Sequence, residues 1–230
     1  MAVPKAMSNM LSKLMILLAF QPAWLIAGVS VDVQFVNGSG KNEAWTDQEK
    51  ALAQEAAEVS FERLTQRHIM NCIARESAPG KFKVLEKNRQ GKLVRKSLSK
   101  SEFLDLWHKQ TGYLNKFKKF SLKMEKVALK GREIGRGKLS VAVIDRKNYE
   151  LLNLAIKIDP GKIQKYEGKV RDFKDDKKSL WVNTIVHEIT HNLGYSHESG
   201  ADWKQNYEGF VPTVAGFCAA SNGKFYKFTD

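Results

Sequence analysis

The sequence predicts an α+β fold, and three observations carry that prediction. Val31-Asp32-Val33-Gln34-Phe35-Val36 alternates in the manner of a half-buried strand. Thr46-Asp47-Gln48-Glu49 is a capping box, in which a hydroxyl and a carboxylate satisfy free N–H groups at a helix start. Leu180, Val182, Ile185, Val186, Ile189 and Leu193 give a late helix so wide an apolar surface that it belongs in the interior. The 230 residues suffice for one substantial domain or two small ones. Hydrophobic content of 43% and charged content of 27% are ordinary for a globular chain, which argues against a fibrous or disordered class.

Residues 1–30 read as a secretory signal peptide. Lys5 and Lys13 are its only charges, and Leu14 to Phe20 and Trp24 to Val29 are apolar on either side of Gln21-Pro22. Gly28-Val29-Ser30 suits cleavage before Val31, with cleavage after Ala27 as the competitor. The apolar run is short and broken for a span of about 20 residues, so no stable transmembrane span is expected; an uncleaved anchor is the alternative. Losing Lys5 and Lys13 takes the formal charge from +13 to +11. Residues 31–230 then form the mature domain, with secreted or periplasmic localisation.

The Val31–Val36 strand stops at Asn37-Gly38-Ser39-Gly40. The helix opened by Thr46 should run to about His68, with Leu52, Ala53, Ala56, Ala57, Val59, Phe61 and Leu64 on its apolar side. His68 reads as a surface or capping residue. Residues 75–100 are polar and basic, with turns at Pro79-Gly80 and Gln90-Gly91, as in a loop or hairpin. Ser99 and Glu102 form a second capping box, opening a short helix through Phe103, Leu104, Leu106 and Trp107; His108 beside them suggests a structural role. Phe117 to Lys130 alternates apolar and basic residues. A nucleic-acid surface with interleaved aromatics is one reading. A half-exposed strand with lysines outward is favoured, because export removes access to nucleic acid.

Lys138 to Ile144 is the best buried strand, and Leu151 to Ile158 is a second, ended by Asp159-Pro160-Gly161. Lys162 to Lys178 is charged and loop-like, and Ser179 suits the N-cap of the late helix.

That helix carries His187-Glu188-Ile189-Thr190-His191-Asn192-Leu193-Gly194-Tyr195-Ser196-His197, which reads H-E-x-x-H-x-x-G-x-x-H. Three of the chain's five histidines fall within it. Positions i and i+4 share a helix face, so His187 and His191 can address one point. Gly194 allows a left-handed turn that ends the helix and returns His197 to the same point. Three imidazoles with an open fourth position are a catalytic zinc donor set. Glu188, next to the first ligand, is placed as general base toward a water. A buried amphipathic helix that happens to contain histidines is the alternative.

In these residues the chain resembles the metzincin clan of zinc metallopeptidases. It is most similar to the astacin-like group, in which the third His is also followed by Glu, as in His197-Glu198. The resemblance implies a zincin fold: a twisted mixed sheet packed on an N-terminal helix and a central active-site helix, with an upper part to about residue 194 and a short C-terminal part, 195–230. It implies one catalytic Zn²⁺ on His187, His191 and His197, with Glu188 catalytic. Leu151 to Ile158 becomes a candidate edge strand for pairing with an extended substrate, the alternative being a wholly internal strand. Asp202 and Tyr207 fall roughly where the group has acidic and Tyr positions.

The chain departs from the pattern in having no Met after Met124, hence no Met-turn of the usual kind. Val211 to Gly216 has the turn chemistry to replace it, with Val214 or a neighbour beneath the histidines. Tyr207 and Tyr226 are candidates to reach the metal or an oxyanion. Cys72 and Cys218, the only cysteines, read as one disulfide in an exported chain; a cysteine that ligates zinc to keep a precursor latent is the alternative. The functional expectation is a secreted or periplasmic zinc endopeptidase acting on protein or peptide substrates. The basic charge suits acidic substrates or an anionic envelope surface. A catalytically inactive zinc-containing binding protein of the envelope is the alternative.

Overall fold

A computed structural model describes residues 30–39, 44–116, 119–131, 133–138, 154–166, 178–198 and 202–224. The strands are β1 (Ser30–Val36), β2 (Lys83–Lys87), β3 (Leu93–Ser97), β4 (Lys119–Lys126), β5 (Gly135–Gly137) and β6 (Leu154–Ile158). The helices are α1 (Asp47–Leu64), α2 (Arg67–Glu76), α3 (Lys100–Lys116), α4 (Pro160–Tyr166), α5 (Ser179–Asn192), α6 (Trp203–Asn206) and α7 (Val211–Ala220). The chain is therefore α+β. The signal-peptide expectation, almost all of the expected strand from Lys138 to Ile144, and Tyr226 lie outside the described residues.

The main sheet is mixed, in the order β1-β4-β6-β5. β1, β4 and β6 are parallel, and β5 runs antiparallel along β6. Alternation explains the faces. Val31 and Val33 of β1 and Leu122 and Met124 of β4 are buried, while Asp32, Gln34, Ser121 and Lys123 are exposed. The half-exposed reading of β4 therefore holds. Helices α1 and α5 both pack near this sheet and near each other. Ala53, Ala56, Ala57, Phe61 and Leu64 of α1 enter one core with Ile156, Ile158, Ile185 and Ile189.

Both capping boxes form. Thr46 Oγ1 accepts from Glu49 N at 3.2 Å, and Thr46 N donates to the Glu49 carboxylate at 2.9 Å. Ser99 and Glu102 repeat the exchange at 3.2 and 2.7 Å.

Several boundaries differ from expectation. Helix α1 stops at Leu64, and His68 lies in the first turn of the separate helix α2, where its Nε2 is 3.1 Å from Asn222 Oδ1. The apolar pattern runs on through Ile69, Cys72 and Ile73, so the break at Thr65-Gln66 carries no periodicity signal. Helix α3 extends to Lys116 because Gln110, Thr111 and Leu114 continue its buried face. His108 on it is exposed rather than packed. Residues 160–166, expected as strand terminator and loop, form α4, since Asp159 Oδ1 accepts from Lys162 N at 3.1 Å and so caps the turn. Helix α5 starts at Ser179 with Lys178 as its cap, and no side chain caps it.

The largest correction concerns Val211 to Gly216. These residues are the first turns of α7, not a turn beneath the histidines. Pro212 sits where a helix tolerates it, at the second residue, and the run through Ala220 is apolar enough to be buried all round. A side chain at Gly216 would meet Asn183 O at 2.7 Å, so glycine is what lets α7 approach α5 closely. The Cys72–Cys218 disulfide forms and joins α2 to α7 across a separation of 146 residues. Closing so long a loop stabilises the fold by about 5 kcal/mol in the chain-entropy account.

Candidate metal centre

His187 and His191 stand one turn apart on α5, a helix whose other faces are buried. Gly194 ends it with φ +97°, as the chain reversal requires. Tyr195 N then donates to Thr190 O at 3.0 Å, and Gly194 N to His191 O at 3.1 Å. The reversed segment joins the β2–β3 hairpin. Leu85 N donates to Gly194 O and Ser196 N to Lys83 O, both at 2.9 Å, with a bridge between Val84 and Tyr195. The Tyr195 ring packs against Trp107 and Phe103 of α3, at 5.5 and 5.8 Å between centroids. Gln110 of α3 holds Leu193 O at 2.8 Å. His197 is therefore returned to the helix by backbone pairing with β2 and by aromatic packing.

The three imidazoles converge. Their ligand atoms lie within 4.8 Å of one another, close enough to hold one metal ion. His187 Nε2 and His197 Nε2 are 3.3 Å apart. Two nitrogens on one tetrahedral ion with bonds of about 2.0 Å would be separated by about 3.3 Å. The outer nitrogens are engaged: His191 Nδ1 with Tyr195 O at 2.9 Å, and His197 Nδ1 with Glu198 O at 2.7 Å. As donors to carbonyls they leave both Nε2 atoms with lone pairs facing the shared point. No other His, Cys, Asp or Glu among the described residues joins the group.

Burial keeps the imidazoles neutral, as ligation needs. It pushes His187 well below its usual value, assisted by the neighbouring His191 and His197. It lowers His191 to about 4, with His197 assisting and the Tyr195 carbonyl opposing. His197 is lowered by burial too, against the Glu198 carbonyl.

No protein-family model, curated protein or solved structure matches the chain. Its chemistry therefore has to be read from its own residues.

Glu188 is 5% exposed and forms no ion pair among the described residues. Its Oε2 accepts from Gly137 N of β5. Burial raises its carboxyl to about 8; the Gly137 hydrogen bond pulls down, Glu133 pushes up and Arg136 pulls down. The strand reaches the carboxylate because it lacks side chains there. A Cβ at Gly135 would lie 2.7 Å from Glu188 Oε1, and one at Gly137 would strike the Glu188 carbonyl. Asn192 ties the same helix to β6: its Oδ1 accepts from Ala155 N at 2.7 Å, and its Nδ2 donates to Glu188 O at 2.9 Å.

The expected edge strand is corrected. Leu154 to Ile158, the described part of Leu151 to Ile158, is β6 and lies between β4 and β5. Both of its edges are paired, so an extended peptide cannot join it. Among the described residues, the edge strand beside Glu188 is β5. Of the other expected residues, Tyr207 reaches the centre, with its ring 4.4 Å from that of His197; Phe210, which was not expected there, stands 6.5 Å from the same ring. Asp202 does not; it is exposed and accepts from Gln205 N at 3.1 Å. Sequence reading missed Gly135, Gly137 and Asn192. The spacing of two glycines around one residue was the available signal for a close backbone approach.

Proposed function

We propose that this chain is a zinc-dependent endopeptidase that acts outside the cytoplasm, built like a metzincin without the usual Met-turn. The observation that carries the reading is the convergence of His187, His191 and His197, with a buried carboxylate, Glu188, adjacent to His187 on the same helix. A set of three neutral imidazoles suits zinc, which in such a site supplies Lewis acidity toward water and a carbonyl oxygen.

The chain's own residues supply the rest. His191 and His197 are oriented by the carbonyls of Tyr195 and Glu198. Glu188 is the general base: it takes a proton from the attacking water and returns it to the leaving amine. Burial raises the Glu188 carboxyl in the metal-free chain, and a cation held by the three imidazoles would draw it back toward the ionised form a base needs. Export by residues 1–30 fits the Cys72–Cys218 disulfide, which persists in oxidising compartments.

One observation favours a second reading, an inactive metal-binding protein of the envelope. Glu188 is engaged by Gly137 N, so the base is occupied by the same edge strand a peptide would join. The experiment that separates the two is digestion of a denatured protein mixture with and without chelator, beside Glu188→Ala. The peptidase reading expects cleavage that chelator abolishes and Glu188→Ala removes while metal stays bound. Absence of cleavage by the metal-loaded chain supports the second reading.

A further inference from the structure

The β2–β3 hairpin has two ends with different electrostatics. At its base the cations are matched. Lys83 Nζ and Arg95 Nη1 hold the Glu198 carboxylate at 2.8 and 2.7 Å, and Lys96 Nζ meets Glu86 at 3.3 Å and Glu102 at 4.0 Å. At its tip they are not. Lys87, Arg89 and Lys92 are exposed, fall within six residues, and have no acidic partner among the described residues.

Beside them sits Leu93, 53% exposed, the large apolar side chain most open to solvent among the described residues. Leu93 is paired across the hairpin with Lys87, so leucine and ammonium stem share one face. The tip is also a built turn. Asn88 Oδ1 accepts from Gln90 N and Lys92 N at 3.0 and 2.9 Å, Asn88 N donates to Lys92 O at 2.9 Å, and Gly91 takes φ +76°. Three cations and a leucine are thus presented on a closed hairpin.

We propose that this tip docks the protein on an anionic lipid surface, with Lys87, Arg89 and Lys92 on phosphate headgroups and Leu93 at the acyl boundary. The exposed leucine among the cations favours lipid over an acidic protein or nucleic acid, because an acyl boundary takes up an apolar side chain and a nucleic acid would call for a stacking aromatic. Each basic group near an anionic leaflet adds to the affinity, and an apolar side chain that enters the interface adds to it independently of salt. The base of the same hairpin pairs with Gly194 to Ser196, so docking would hold the metal centre roughly 15 Å from the surface, by the rise of five strand residues. The binding itself does not depend on the peptidase reading.

The test is sedimentation of the full chain with phosphatidylcholine vesicles, with and without phosphatidylglycerol, at low and physiological salt. Lys87→Gln/Arg89→Gln/Lys92→Gln is expected to lose about a hundredfold in partitioning onto the anionic vesicles. Leu93→Ser is expected to lose about tenfold at either salt concentration. All proteins carry the same apolar N-terminal stretch, so differences between them isolate the hairpin. A control, Lys109→Gln/Lys123→Gln/Lys130→Gln, removes equal charge from exposed positions elsewhere and is expected to change little. The proposal is overturned if the tip variant binds as the parent does, if the control loses as much, or if the parent binds polyglutamate or nucleic acid but shows no preference for anionic vesicles.

Discussion

The two halves of the metal centre are held in different ways. His187, Glu188 and His191 ride on one buried helix, and the 3.6-residue repeat alone sets their relation. His197 sits on a returning segment. Its position depends on Gly194, on backbone pairing with β2, on the Trp107–Tyr195–Phe103 stack and on the Lys83–Glu198–Arg95 ion pairs. The helical half is specified by neighbours in sequence, and the returning half by residues about a hundred positions upstream. Rigidity should therefore be the property of the first half and adjustability that of the second.

Removing a ligand breaks either half. His191→Ala or His197→Ala should weaken metal binding by about a thousandfold, read by competition with a chromogenic chelator. Equal losses mean that both halves contribute a ligand; a His197→Ala protein with parental affinity would reduce the centre to the helical pair. Gly137→Ala comes next. Its Cβ strikes the Glu188 carbonyl, so β5 and α5 must separate, at a cost of about 1–3 kcal/mol in urea denaturation. Gly80→Ala, at a turn open to solvent, should cost less despite its positive φ, because nothing lies within 4 Å of the added carbon.

A sharper comparison sets one support from each half side by side. Asn192→Ala leaves the partly buried Ala155 amide without its acceptor and should cost about 1–2 kcal/mol of stability. Glu198→Gln breaks two partly exposed ion pairs and should cost under about 1 kcal/mol. Metal affinity should still fall about tenfold in Glu198→Gln, since the returning segment loses its clamp. Unchanged affinity would show that backbone pairing alone positions His197.

A further effect is a pH slope in metal-free protein. Glu188 has an ordinary value of 4.5 and a folded value of about 8, so between these the fold binds a proton that the unfolded chain does not. Stability present at low pH is lost as pH rises through that window, at no more than about 1.4 kcal/mol per pH unit. His191 acts oppositely: lowered from 6.5 to about 4, it withdraws stability as pH falls between those values. Above pH 6.5 the Glu188 slope is the one of the two that remains, and Glu188→Gln should flatten it in denaturations run with chelator at pH 6.5 and 8.

The same division explains what the sequence revealed. Capping boxes at Thr46 and Ser99, the Gly194 reversal and the spacing of the three histidines are local patterns, and each has its counterpart in the structure. The Cys72–Cys218 pairing was legible because two cysteines leave one intramolecular choice. The edge strand was not legible. Leu154-Ala155-Ile156-Lys157-Ile158 reads the same whether one or both of its edges are paired, and among the described residues the edge is instead Gly135-Arg136-Gly137, which has almost no strand signature. Val211 to Ala220 was misread because Pro and Gly suggest a turn, whereas Pro sits in the first turn of α7 and Gly216 lets two helices touch. The support of Glu188 by Gly137 and Asn192 depends on long-range contacts that no short window contains.

Three imidazoles that share one ion would leave its remaining coordination open. X-ray absorption spectroscopy of the zinc-loaded chain addresses it directly. Three imidazole nitrogens at about 2.0 Å are expected, with one further light atom that azide or a hydroxamate replaces. Two imidazoles, or a fourth protein ligand that no added ligand displaces, would contradict it.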